Sequence, residues 1–244
     1  MSLFKLSNSV FDMKLDAQEL AVYAYLCSIE ASELTLNGEA VVHVRQATIG
    51  EKCAIRSVQT VRKILRQLSI RGLVSPLNRS VKSNGYKGTY FYGIKKQPLS
   101  GGYFYVNRKV WGALKPRQMM IYLFICKSWD ALRNDCWNSF QDIAAQTGMK
   151  REVVVKTIKE LTAAHYIVCI HHRSKDNAHV YVDNHYQVVQ YIHGRIKRKV
   201  RLHAQYNRTN ATHSVALNNN YIVSHFQSKV KSFLMFSSFS RGSP

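Results

Sequence analysis

The side chains with the most chemistry to offer lie in one short stretch. Arg56, Ser57, Gln59, Thr60, Arg62, Lys63 and Arg66 are interleaved with the apolar residues Val58, Val61, Leu65 and Leu68. Spacings of 3, 4 and 3 put the apolar set on one face of a helix and turn the polar set outward. Gln pairs bidentately with adenine, Arg with guanine, and Ser or Thr with bases or phosphates, so such a face suits the major groove of duplex DNA. A second stretch repeats the theme with Lys150, Arg151, Glu152, Val155, Lys156 and Lys159. Glu152 accepts a hydrogen bond from cytosine but equally repels phosphate, so the first stretch is expected to be the stronger base reader. The bland reading of both is a solvated basic face.

Further polar and basic residues flank each stretch. Arg79, Lys82, Tyr86 and Lys87 lie in and around one polar turn, and His172, Arg173 and Lys175 in another. At such turns they would meet phosphates or an adjacent minor groove, although plain solvation explains any one of them equally well. A third group, Arg195, Lys197, Arg198, Lys199 and Arg201, stands near the start of the last quarter of the chain. Residues 1–98 hold 14 basic and 7 acidic residues, residues 99–183 hold 12 and 7, and residues 184–244 hold nine basic residues and no acid. The net charge of +21 over 244 residues asks for a polyanion, with double-stranded DNA ahead of an anionic membrane surface.

Other chemistry is harder to find. No G-x-x-x-x-G-K-[ST] loop is present. His171-His172 is adjacent, without the intervening hydrophobe of a nicking enzyme's His-x-His metal pair, and reads as exposed strand. Fourteen tyrosines make a nucleophilic Tyr conceivable, yet none keeps company with carboxylates and histidines. The five cysteines (Cys27, Cys53, Cys126, Cys136, Cys169) are scattered, which argues against a disulfide framework or zinc finger and suits a reducing cytoplasm. Cys27 and Cys126 read as core, and Trp111, Trp129 and Trp137 as core and hairpin packing. No apolar run approaches the roughly 20 residues that span a bilayer, and the first residues lack the apolar stretch of a signal peptide. The expectation is a non-catalytic cytoplasmic protein with no cofactor and no metal, and with no membrane partner.

The elements that must hold these residues come in two sets. Leu15 to Cys27 recurs as Leu114 to Cys126 at a shift of 99, and Phe4 to Asn8 matches Tyr103 to Asn107 at the same shift. Downstream, Ile49 to Ile55 matches Ile143 to Met149 at 94, and Val61, Leu65 and Leu68 match Val154, Ile158 and Leu161 at 93. Each copy predicts a helix (Ala17–Ile29; Pro116–Leu132), with Asp16 as an N-cap in one and Pro116 opening the other. A strand follows (Val41–Val44; near Cys136), then a short helix (Ala47–Cys53; Phe140–Thr147, capped by Ser139). A tight turn containing Gly148 in the second copy leads to a second helix (Ser57–Arg71; Lys150–Ala164). Two strands close each copy (Leu73–Ser75 and Gly88–Ile94; Tyr166–His171 and Ala178–Val182). This is the order of a winged helix-turn-helix. The expected fold is therefore mostly α with small β-hairpins. Two tandem winged helix-turn-helix domains (1–98 and 99–189) precede a basic, flexible tail (190–244) that has room for one helix near Val189–Arg201. A 1–98 fragment should then keep sequence preference by itself.

Phe4 to Phe11, Leu15 to Leu26 and Gln46 to Val61 together resemble the N-terminal winged-helix domain of Gram-positive plasmid replication initiators, the protein A-like family. They are also similar to a wider group of helix-turn-helix proteins on mobile elements. The resemblance covers residues 4–75, reaches residues 103–168 through the repeat, and stops short of the tail. It implies duplex DNA binding, in a replication initiator or origin-binding factor or in a transcription regulator of the same element. A non-catalytic assembly protein using winged helices for protein contacts is the reading from a different class. Oligomeric state stays open, as does the choice between a direct and an inverted DNA repeat.

Overall fold

The computed structural model describes residues 3–31, 33–34, 37–81, 83, 85–130, 135–173 and 181–189. These fall within one compact unit. The N-terminal half runs β1 (Leu3–Ser7), a 3-10 turn, α1 (Ala17–Ser28), β2 (Glu33–Leu34), β3 (Ala40–Val44), α2 (Gln46–Lys52), α3 (Val58–Ile70), β4 (Val74–Val81) and β5 (Lys87–Ile94). The C-terminal half repeats most of that order. It runs β6 (Tyr103–Asn107), a 3-10 turn, α4 (Pro116–Lys127), β7 (Cys136–Trp137), α5 (Phe140–Thr147), α6 (Arg151–Ala163), β8 (Ile167–Arg173) and β9 (Tyr181–Val188). With six α-helices and nine mostly short strands among the described residues, the fold is mixed α/β, with helix the larger share.

Local chemistry starts and stops these helices where expected. Asp16 caps α1 by accepting from the amides of Gln18 and Glu19, while Glu19 accepts from the Asp16 amide in return. Ser139 and Asp142 form the same reciprocal box at α5, and Pro116 opens α4. Helix α4 ends at Lys127, short of the expected Leu132, with Ser128 as its C-cap. Strand β4 runs on to Val81, and β9 begins at Tyr181 and continues to Val188 because it pairs along the whole of β8. On α3 the buried residues are Val61, Ile64, Leu65 and Leu68. Val58 stands in the first turn at 36% exposure, so the buried stripe starts one turn later than the apolar spacing implied.

Strands β1 and β6 form a two-stranded antiparallel sheet that joins the halves, with Phe4 opposite Val106, Lys5 opposite Tyr105 and Leu6 opposite Phe104. Ser7 caps the 3-10 turn after β1 as Asn107 caps the one after β6. That equivalence sets the shift here at 100 and corrects the expected 99; the first half carries one extra residue before Leu15. At a shift of 100, Phe4 corresponds to Phe104 and Leu6 to Val106, so each pairs with the other's counterpart. Reciprocal pairing of this kind is the mark of a local twofold axis, here passing through the Lys5–Tyr105 pair.

The rings repeat the reciprocity. Phe4 lies 6.1 Å from Trp111, and Phe104 lies 6.4 Å from Phe11. Phe11 meets Phe124 edge-on at 5.7 Å, and Trp111 meets Tyr25 edge-on at 5.4 Å. Helices α1 and α4 pack against each other beneath this sheet. Both are buried on all sides, from Glu19 to Ser28 and from Met119 to Cys126, as helices enclosed by two halves must be. Cys27 and Cys126 are buried at equivalent positions, whereas Trp137 is 57% exposed rather than packed. The core is thus continuous across residue 98.

Candidate nucleic-acid interface

Helices α2 and α3 meet through a turn in which Ala54 takes a positive φ of 53°. Gly148 occupies the same place between α5 and α6 at φ 67°, where it ends α5. At Gly50 of α2 the turn folds back so closely that a Cβ would lie 2.7 Å from the Ile55 carbonyl oxygen. The Ile55 amide donates to the Gly50 carbonyl at 2.7 Å. This turn fixes where α3 points.

Burial of Val61, Ile64, Leu65 and Leu68 turns the other side of α3 to solvent. Arg56, Ser57, Gln59, Arg62, Lys63 and Arg66 are all exposed, and Thr60 is half-buried. Ser57 serves the helix itself, because its hydroxyl accepts from the Thr60 amide. The Arg62 guanidinium is held in place: its Nε donates to the Gln46 Oε1 at 2.9 Å, and the Gln46 Nε2 donates to the Tyr92 hydroxyl at 3.2 Å. Burial pushes the Tyr92 hydroxyl above its ordinary range, so it stays a neutral acceptor. A short polar chain therefore links α3, α2 and β5.

Between α3 and the β4–β5 hairpin lies an open groove of about 350 Å³, lined by Arg62, Arg66, Tyr90 and Tyr92 among others. Arg79 of β4 packs on Tyr90, one of the lining residues. Its guanidinium stacks 4.4 Å from the Tyr90 ring centroid and donates twice to the Gly88 carbonyl, at 3.1 and 3.2 Å. The hairpin is kinked by register shifts on both sides of Arg79, which turn it out of a regular ladder. The groove takes its two cations, Arg62 and Arg66, from α3, and the rest of its lining is largely apolar, with Leu65, Ile70, Val74 and Pro76.

The second half presents a different face. Arg151, Glu152, Lys156 and Lys159 on α6 are exposed, and Val155 is half-buried. Lys150 stands at the N-cap with no side-chain cap bond. Superposing the buried positions sets Glu152 where α3 has Gln59, and Val155 where it has Arg62. Lys156 matches Lys63. The backbone of Arg173 closes β8 and that of Lys87 opens β5. The side chains of these two, and Lys82, Lys175, Arg195, Lys197, Arg198, Lys199, Arg201 and the expected helix after Val189, lie outside the described residues.

Sequence reasoning missed Gln46, Tyr90 and Tyr92. A signal for the tyrosines existed, since residues two apart on a strand share a face. Gln46 carried none, because its role depends on a side chain 46 residues away in β5. Among the described residues, no cluster of His, Cys, Asp or Glu is arranged to hold a metal ion, and no helix is long and apolar enough to cross a membrane. Burial pushes the thiols of Cys27, Cys53, Cys136 and Cys169 up to about 12, so none is a ready nucleophile.

No curated protein sequence matches the chain. Residues 112–167, which carry α4, β7, α5 and α6, match the sequence model of a helix-turn-helix domain, and this likeness supports a DNA-binding helix-turn-helix in the second half.

Proposed function

We propose that the protein is a non-catalytic, sequence-specific binder of double-stranded DNA built from two tandem winged helices, residues 1–98 and 99–189. Helix α3 enters a major groove, and the β4–β5 hairpin acts as a wing on the neighbouring backbone. The carrying observation is the α3 face: Gln59, Arg62, Lys63 and Arg66 stand exposed on a helix whose opposite side is sealed in the core, and Arg56 is exposed just before its N-cap. Gln59 and Arg62 face base edges, and Arg66, Arg79 and the wing lysines Lys82 and Lys87 face phosphates. Helix α6, with Lys150, Arg151 and Lys156, together with Arg173 and Lys175, engages a second groove. The Arg195–Arg201 cluster adds contacts without sequence preference.

The biological role that fits this binder best is initiation of replication, or origin binding, on a plasmid or other mobile element in the cytoplasm. What supports it is the resemblance of residues 4–75 to plasmid initiators. A transcription regulator would use the same face. Selection of tight binders from a randomised duplex library, followed by footprinting on the parent element, tests both levels. A protected site inside an origin supports initiation, a site inside a promoter supports regulation, and no salt-sensitive duplex binding would sink the reading altogether.

A further inference from the structure

We infer that one chain binds one bipartite DNA site whose two half-sites run in opposite directions and differ in sequence, so that the target is an imperfect inverted repeat. The inference rests on the proposed DNA-binding function and adds the architecture of the partner. Its ground is the reciprocity of the contacts between the halves. Phe4 pairs with Val106 as Leu6 pairs with Phe104, and Phe4 meets Trp111 as Phe104 meets Phe11. Tyr25 meets Trp111 edge-on as Phe124 meets Phe11.

Each pair of contacts exchanges under a rotation by half a turn and under no translation. Helices α3 and α6 are built onto α1 and α4, which pack against each other across that axis, so the same operation relates them. Two reading helices related by a twofold axis, each entering its groove in the same way, meet duplex segments related by a twofold axis as well. Modules strung along a flexible linker would be free to read a direct repeat. Here the halves share one apolar core, and their relative orientation is part of the fold.

The two half-sites must also be unlike. At the positions aimed at base edges, α3 offers Gln59 and Arg62 where α6 offers Glu152 and Val155. Gln favours adenine and Arg favours guanine, whereas a carboxylate accepts only from a donor such as the cytosine amino group, and valine packs on a thymine methyl. The lysines common to both helices, Lys63 and Lys156, keep backbone contacts alike on the two sides. The symmetry therefore lies in the geometry and the asymmetry in the letters.

The test uses the full chain and the duplex recovered by selection. The half-site that loses discrimination in the Gln59→Ala protein is the one read by α3, and the other belongs to α6. The α6 half-site is then reversed in place, with spacing and composition kept, to convert the inverted arrangement to a direct one. Reversal should weaken binding at least tenfold, and native mass spectrometry should find one chain per duplex. Equal or tighter binding to the reversed duplex, full affinity for the α3 half-site alone, or two chains per duplex would each overturn the inference while leaving the DNA-binding function intact. Failure to select any preferred duplex would instead remove the function on which the inference stands.

Discussion

Arg62 and Gln46 are joined by a hydrogen bond of 2.9 Å that ties the exposed face of α3 to the first residue of α2. The bond engages Nε and directs the guanidinium before any partner arrives. An Arg held this way loses less side-chain entropy on binding than one that samples all its rotamers.

Gln59→Ala and Arg62→Ala should each weaken binding to the selected duplex by about 1–3 kcal/mol and relax preference at one base pair. Gln46→Ala should reproduce part of the Arg62 effect without removing a base contact, because it releases the guanidinium. Anisotropy titrations on selected and scrambled duplexes decide. Equal losses on both duplexes would reassign these residues to phosphate contacts.

Phe4→Ala and Phe104→Ala should each destabilise the protein by about 3–5 kcal/mol, the range for deleting a buried ring. Both rings seal the sheet between the halves, so each variant should still melt in one transition with both halves lost together. Calorimetry showing two separate transitions would mean that the halves fold independently. By the same reasoning, a 1–98 fragment would expose Phe4, Leu6 and Phe11 and should fail to fold, contrary to the expectation that sequence alone raised.

Ala54 and Gly148 occupy equivalent left-handed positions, at φ 53° and 67°. Ala54→Gly should stabilise the protein by up to about 1 kcal/mol, as relief of the side-chain clash outweighs the added freedom of the unfolded chain. Gly148→Ala should destabilise it by about 1 kcal/mol. A Cβ at Gly148 meets nothing within 4 Å, so that loss is purely conformational. Urea midpoints moving the other way would contradict the assigned turn.

Burial holds the thiols of Cys27, Cys53, Cys136 and Cys169 up to about 12. In the unfolded chain a thiol ionises near about 8.5. The unfolded state therefore releases these protons first as pH rises. Their contribution to stability is full below about pH 8.5 and is lost as pH climbs toward about 12. Urea unfolding at about pH 7.5 and about pH 10 should show the decline. A variant with Cys27 and Cys53 replaced by Ala should decline less steeply, and identical slopes would refute the assignment.

Truncation after Val189 should leave the melting temperature and the ranking of DNA sequences unchanged while weakening all binding at low salt. With three or four tail cations engaged, the slope of log K against log salt should become shallower by roughly 3. An unchanged slope would take the Arg195–Arg201 cluster off the DNA.

The helices were the legible part of the sequence. Their capping residues and apolar spacing act locally, and Asp16, Ser139 and Pro116 set boundaries that hold in the fold. The β1–β6 sheet was not legible, because Phe4 and Leu6 find their partners a hundred residues away and five-residue strands carry little pattern of their own. The α3 face is readable from spacing, although spacing alone puts Val58 in the core and leaves Ile64 out. Periodicity cannot tell which apolar residue of a first turn escapes the core. The Arg62–Gln46–Tyr92 chain lay beyond reach, since it depends on side chains that only the tertiary fold brings together.

The sheet between β1 and β6 also has a kinetic meaning. Where two separate chains must find each other before gripping an inverted site, occupancy rises with a power of protein concentration and partners can trade places with relatives. On the inference drawn above, the second reading unit would be covalently present at a local concentration that dilution does not change. Site occupancy should therefore follow a simple hyperbola down to a few molecules per cell, with no lag for assembly and no mixed species formed by exchange.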